Sequence, residues 1–446
     1  MTVPAHSAHT AQPEEPGLVP PPGCPAHTAG PAVPLYASEF AADPDAVYAR
    51  MRPYGPAAPV ELAPGVKATL VTSYSTALKV LRGTGTFVKD ARHWVALTSG
   101  DVTPDSPVVP MMMYRPNCLH ADGPAHVRLR AAITDGFDRV DPQQLRHYVE
   151  QSADQLIDRF ATRSEADLLH DYAKQLPLLV FMRLFGCPVD IGNRLVAAMS
   201  AVFDGTDAQR AFSELTQVGT ELIAHKRKRP GADIISWMLA HPAKLTDTEM
   251  ISQVNLSMGA GTEPQQNLIA NALRLLLVDD RFGGNLAGGS LPVEDALDEV
   301  LWTSYTPMAN YAIHYPVHDV VLDGVFLRKG EPVVISFAAA NTDPLLSAGN
   351  RVGNRAHLAW SAGPHTCPAK SLARLIATVA IETLLDRLPD LELAVPAEKL
   401  AWRPGPFHRA LTSLPVYFSP STPSGPLDRH AEQSRRTYGQ RARRAG

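Results

Sequence analysis

Apolar residues recur at three- and four-residue steps along two long stretches of this chain. In the first, Ile251, Val254, Met258, Leu268, Ile269, Leu273 and Leu276 fall on such steps, behind a Thr246-Asp-Thr-Glu249 capping box. The spacing predicts one long helix from about Thr246 to Asp280. In the second, Leu372, Leu375, Ile376, Val379 and Leu384 mark one apolar face of a helix that starts near Pro368. Residues 75–83 and several segments between 142 and 240 also read as helical, with breaks near Gly186-Cys187-Pro188 and at Gly205. Ser290-Leu-Pro-Val-Glu294 opens a further helix. Period-two alternation is confined to two places. Pro59–Leu62 and Val66–Thr72 flank a Pro64-Gly65 turn and predict a β-hairpin. His318–Pro344 is β-rich, with a turn at Asp323-Gly324. The expected class is mainly α with a minor β portion.

Composition sharpens the organisation. The chain has 446 residues, 45% of them hydrophobic, which allows a sizeable core. A net charge of −4 gives no case for nucleic-acid binding. No apolar run approaches the ~18–20 residues needed to span a bilayer, and the start lacks a signal-peptide plan. No membrane anchor is therefore expected, and the cytoplasm is the expected location. Residues 1–35 read as a Pro-rich disordered arm, and residues 420–446 as a basic disordered tail. From Arg429 to Gly446 the tail carries six arginines and one glutamate. Four cysteines (Cys24, Cys118, Cys187 and Cys367) are far apart and form no zinc or covalent-haem spacing.

Candidate chemistry gathers at a few positions. Cys367 lies at or just before a predicted helix N-terminus, where the dipole and free N–H groups favour a thiolate. Ser361, Gly363 and Pro364 mark a tight loop ahead of it. Two readings stand here: a small buried cysteine, or a thiolate ligand for haem iron. Asp122, Gly123 and Pro124 start a helix that carries His126 and Arg130 one turn apart on one face. That pair is either a solvated face or a site for a paired anion. Met111-Met-Met-Tyr-Arg115 is apolar and suits either a pocket-lining loop or core packing. Within the long helix, Gly259-Ala-Gly261 allows close approach of a flat ligand, and Pro264 predicts a kink. Lys226-Arg-Lys-Arg-Pro230 reads as a solvated helix end.

Trp360-Ser-x-Gly-x-His-x-Cys367, followed by Leu372-Ala-Arg374, resembles the haem-binding loop of the cytochrome P450 family. The resemblance runs from about Tyr36 to Phe418 and implies one haem-thiolate domain over residues 36–419, with haem b between the long kinked helix and the cysteine loop. It implies Cys367 as the axial ligand, with Gly363 and His365 on family positions of the loop. His126, Arg130 and His314 are implied as contacts of the haem propionates. Ala260, Gly261 and Glu263 match the family's Ala-Gly-x-acid signature.

Three positions depart from the pattern. Ser361 stands for a glycine, Pro264 for the threonine of the proton relay, and Trp302 for the arginine of Glu-x-x-Arg. Glu299 is expected to be rescued by Arg351 or Arg355, and Pro264 to weaken the coupling of oxygen use to product. The implied activity is monooxygenation (hydroxylation or epoxidation) of a small organic substrate with dioxygen. Electrons come from a separate ferredoxin and ferredoxin reductase, with Lys370 and Arg374 contributing to a cationic docking face. The alternatives are a haem-binding sensor or interaction protein, or a peroxide-dependent haem enzyme.

Overall fold

The computed structural model describes residues 32–203, 208–279, 281, 292–346 and 353–423. Cys24, Gly205, Ser290, Arg351, nearly all of the Pro-rich arm and most of the arginine-rich tail lie outside the described residues.

Nine helices carry the argument: α1 (Tyr74–Arg82), α2 (Gly123–Asp138), α3 (Pro142–Ile157), α4 (Leu176–Leu184), α5 (Val189–Phe203), α6 (Ala208–Lys228), α7 (Asp247–Val278), α8 (Val293–Trp302) and α9 (Lys370–Arg387). The capping box forms: the Thr246 hydroxyl accepts from the Glu249 backbone N–H, and Glu249 reaches back to the Thr246 N–H. α7 then continues without interruption through Pro264, which leaves the Ala260 carbonyl without its usual N–H donor. α9 begins at Lys370 with Ala369 as its N-cap, two residues later than the Pro368 start that the sequence led us to expect. The apolar faces of α3, α4, α7 and α9 close the larger core, where Leu145, Val149, Leu268, Ile269 and Ile381 are fully or almost fully buried.

The β portion is small. A six-stranded sheet has the order β1 (Val33–Pro34), β2 (Ala57–Ala63), β3 (Val66–Val71), β9 (Val333–Ser336), β6 (Asn310–Pro316) and β4 (Phe87–Val88). The expected hairpin is β2–β3, turning at Gly65 with a φ of 78°. β5 (Glu165–Asp167) joins β10 (Glu392–Leu393) and β11 (Pro415–Tyr417) in a second sheet, and β7 (Val320–Leu322) pairs with β8 (Val325–Leu327) around Asp323-Gly324. The sheet packs on the N-terminal segment as a second core.

The basic run that ends α6 is only partly solvated. Arg227, Lys228 and Arg229 are exposed, but Lys226 is buried in a 2.7 Å ion pair with Asp233. A Cβ at Gly186, whose φ is 60°, would lie 2.4 Å from the Lys226 amine, so only glycine fits the break after α4. Among the described residues, no helix is long and apolar enough to cross a membrane.

Candidate active site

The cysteine loop is built from its backbone outward. The Cys367 N–H donates to the Trp360 carbonyl at 2.9 Å, and the Thr366 N–H and hydroxyl both donate to the Gly363 carbonyl, at 3.1 and 2.7 Å. Gly363 has a φ of 69°, and a Cβ there would lie 2.4 Å from the Leu81 carbonyl at the end of α1. Ser361 adopts a φ of 61°, a conformation that glycine adopts without strain, and its hydroxyl is buried without a partner. Cys367 sits three residues ahead of the first helical residue. Burial pushes its thiol pKa up, against the Ala369 N–H, Arg130 and Lys370, which pull it down. In the bare protein burial therefore outweighs the helix end that the sequence emphasised, and a bound cation would reverse the balance.

Cys367 opens into an apolar cavity of about 680 Å³, including its mouth, between α7 and the loop that leads into α9. Ala260, Gly261, Pro264, Gln265 and Leu268 form one wall, and Trp360, Cys367, Ala369, Leu372, Ala373 and Ile376 the facing one. Thr306, Pro307 and Met308 close a side. A Cβ at Gly261 would lie 2.2 Å from the Phe181 ring, so this glycine admits an α4 side chain against α7. Glu263 does not line the cavity. It is buried beside α7, accepting from Gln266 at 2.8 Å, from Asn267 at 3.3 Å and from the Arg403 guanidinium. The Met111–Met113 loop also stays out of this cavity: Met112 packs into the sheet-side core, and the Met111 carbonyl accepts from Tyr311.

A cationic cluster gathers near the cysteine loop. The rings of His126 and His365 lie 4.2 Å apart, and His126 Nε2 is buried without a partner. Arg130 donates to the Thr134 hydroxyl at 3.0 Å and to the Thr366 carbonyl, one residue before Cys367. His314 is buried on β6, where a bulge with Ala312 at a φ of 45° turns its Nδ1 to within 2.5 Å of the Ala312 carbonyl. Two residues that sequence reasoning missed complete the group. Lys89 is buried and donates to the Ile313 carbonyl at 2.7 Å, and His120 is buried close by.

Burial and neighbouring cations together depress the whole set: Lys89 to about 7, His120 to about 3 and His126 to about 4, with His314 and His365 also lowered. For Lys89 and His365, Asp122 is the nearby acid. It accepts the Lys89 and Asp90 backbone N–H groups and lies 3.8 Å from His365. Buried cations with so little opposing charge form a seat for an anion carrying more than one carboxylate.

The Glu299 expectation needs correction. Glu299 is partly exposed, and its ion pair is with Arg281 at 3.6 Å, not with a meander arginine. The buried acid on α8 is its neighbour Asp298, which holds Arg355 at 3.0 Å and also the Arg374 guanidinium. One residue is about 100° of rotation on a helix, and that rotation turns Asp298 inward instead. Arg374 is thereby taken into the interior and contributes no exposed docking charge. Trp302 donates to the Asn354 carbonyl at 2.6 Å and meets the His357 ring edge-on.

No protein-family model matches the chain. Its curated relatives are explicit. It is 32% identical over 392 residues to the cytochrome P450 monooxygenase PikC of Streptomyces venezuelae, covering 85% of this chain and 92% of that one. It is 30% identical to the mycinamicin IV hydroxylase/epoxidase of Micromonospora griseorubida, covering 79% and 90%. Among solved structures, CYP154A1 from Streptomyces coelicolor A3(2) superposes with a TM-score of 0.76 at 32% identity, over 87% of this chain and 100% of that one. The chain belongs to the cytochrome P450 family and is a haem-dependent monooxygenase.

Proposed function

We propose that this monooxygenase binds haem b with Cys367 as the axial ligand, the haem plane lying in the apolar slot between α7 and the cysteine loop. The observation that carries the reading is the position of Cys367: it opens into a cavity with hydrocarbon walls, and a counterion-poor cationic cluster gathers beside its loop. His126, Arg130, His314 and His365 hold the two propionates, with the unpartnered His126 Nε2 the clearest free position. When bound, the haem supplies dioxygen activation, and the cysteine thiolate donates electron density to its iron.

The chain's own residues do the rest. Ala260 and Gly261 keep the α7 wall low over the slot, and the hydrocarbon lining excludes bulk water from a small organic substrate. Glu263 is the candidate acid. Its carboxylate exchanges a proton with the cavity only by releasing Arg403. Electrons come from a ferredoxin and its reductase, and the location is cytoplasmic. Reduction under carbon monoxide tests the ligand assignment. The intact protein is expected to give the strongly red-shifted band of a thiolate-ligated haem, and Cys367→Ala to lose it. An unchanged band in that variant would overturn the assignment.

A further inference from the structure

Monooxygenation, RH + O₂ + 2e⁻ + 2H⁺ → ROH + H₂O, consumes two protons per turnover, and they must enter a cavity walled largely by hydrocarbon. The α7 wall offers no ready path. Pro264 has no side-chain hydroxyl, and the adjacent hydroxyl, Thr262, donates to the Met258 carbonyl at 2.7 Å. Glu263 is held by Arg403, and the Gln265 amide donates to the Ala373 carbonyl at 2.9 Å.

One hydroxyl remains among the described lining residues, that of Thr306. The residue is 1% exposed, and its Oγ1 has no hydrogen-bond partner. Its segment is pinned on both sides. Asn271 of α7 donates to the Tyr305 carbonyl at 2.8 Å, and the Arg409 N–H donates to the Pro307 carbonyl at 3.0 Å. A fixed, buried and unpaired hydroxyl is a group that accepts an ordered water.

We propose that Thr306 is a positioning residue for proton delivery, its Oγ1 holding a water in the cavity on the side that Pro264 leaves bare. The hydroxyl passes its proton toward the reacting oxygen and takes one from that water, which is reprotonated from solvent; Thr306 ends unchanged. This rests on the haem reading and replaces the poor coupling expected from Pro264 alone.

The test uses the haem-loaded full chain and its Thr306→Val, Thr306→Ala and Thr306→Ser variants, with carbon monoxide and dioxygen as probes. In the reduced protein under carbon monoxide, Val and Ala are expected to shift the infrared stretch to higher frequency, and Ser to restore it. After rapid mixing of reduced protein with dioxygen, decay should slow several-fold in Val and Ala and lose its solvent deuterium isotope effect. Ser should keep both, and adding Pro264→Thr to Thr306→Val should bring them back. An unshifted stretch with an unchanged isotope effect in Val and Ala overturns the proposal. Loss of haem from both also overturns it, by making the role structural. If the unaltered protein gives no thiolate-type band, the haem reading itself has failed, and that outcome is recognised before any variant is compared.

Discussion

At the scale of single residues, the informative pair is Asp298 and Glu299. They are adjacent and both acidic, yet one is buried between two guanidinium groups and the other is partly exposed beside Arg281. Removing one partner of a buried ion pair leaves an uncompensated charge and costs about 3–5 kcal/mol, whereas an exposed pair contributes about 0–1 kcal/mol. Asp298→Ala is therefore expected to lower thermal stability strongly and to weaken haem retention, because Arg374 reaches Asp298 from the helix that follows Cys367. Glu299→Gln is expected to stay within about 0.5 kcal/mol of the parent. Thermal unfolding of the two holoproteins, side by side, checks the assignment. Equal losses would return the role to Glu299.

At the scale of elements, α7 and α9 were legible because a 3.6-residue period, a capping box and a proline near a helix start are local signals. The same locality explains what was missed. Which of two neighbouring acids faces inward is a matter of helix rotation, and the α9 start moved two residues because Ala369, not Cys367, caps it. Pro264 is the clearest strain that α7 carries. A proline in a helix interior costs about 3 kcal/mol through its absent N–H and its ring, partly offset by about 0.4–1 kcal/mol from a stiffer unfolded chain. Pro264→Ala restores a donor for the Ala260 carbonyl and is expected to raise the thermal midpoint, corresponding to about 1–2 kcal/mol. A fall in the midpoint would show that the proline ring is itself part of the packing against the cavity.

At the scale of the whole molecule, the site is assembled from segments far apart in the chain, which is why Lys89 and His120 carried no sequence signal while His126, Arg130, His365 and Cys367 sat in recognisable motifs. The assembled cluster has a consequence for pH. Loss of water, reinforced for His120 by Lys89 and Arg115, lowers Lys89 from 10.5 to about 7 and His120 from 6.5 to about 3. Between about 3 and 6.5, and again between about 7 and 10.5, the unfolded chain binds more protons than the haem-free folded protein. The stability of the haem-free protein therefore rises with pH across each window and is lowest below both. Two carboxylates placed in the cluster favour the charged forms and move both pKa values back up. Haem uptake near neutral pH must then draw protons from solution, with Lys89 as the main acceptor. Calorimetry of haem binding to the apoprotein at about pH 8, in two buffers of different ionisation heat, measures that uptake directly. A positive uptake that disappears in Lys89→Met is the expected result. No uptake in the parent would place Lys89 and His120 away from the carboxylates and leave the cationic cluster without its proposed anion.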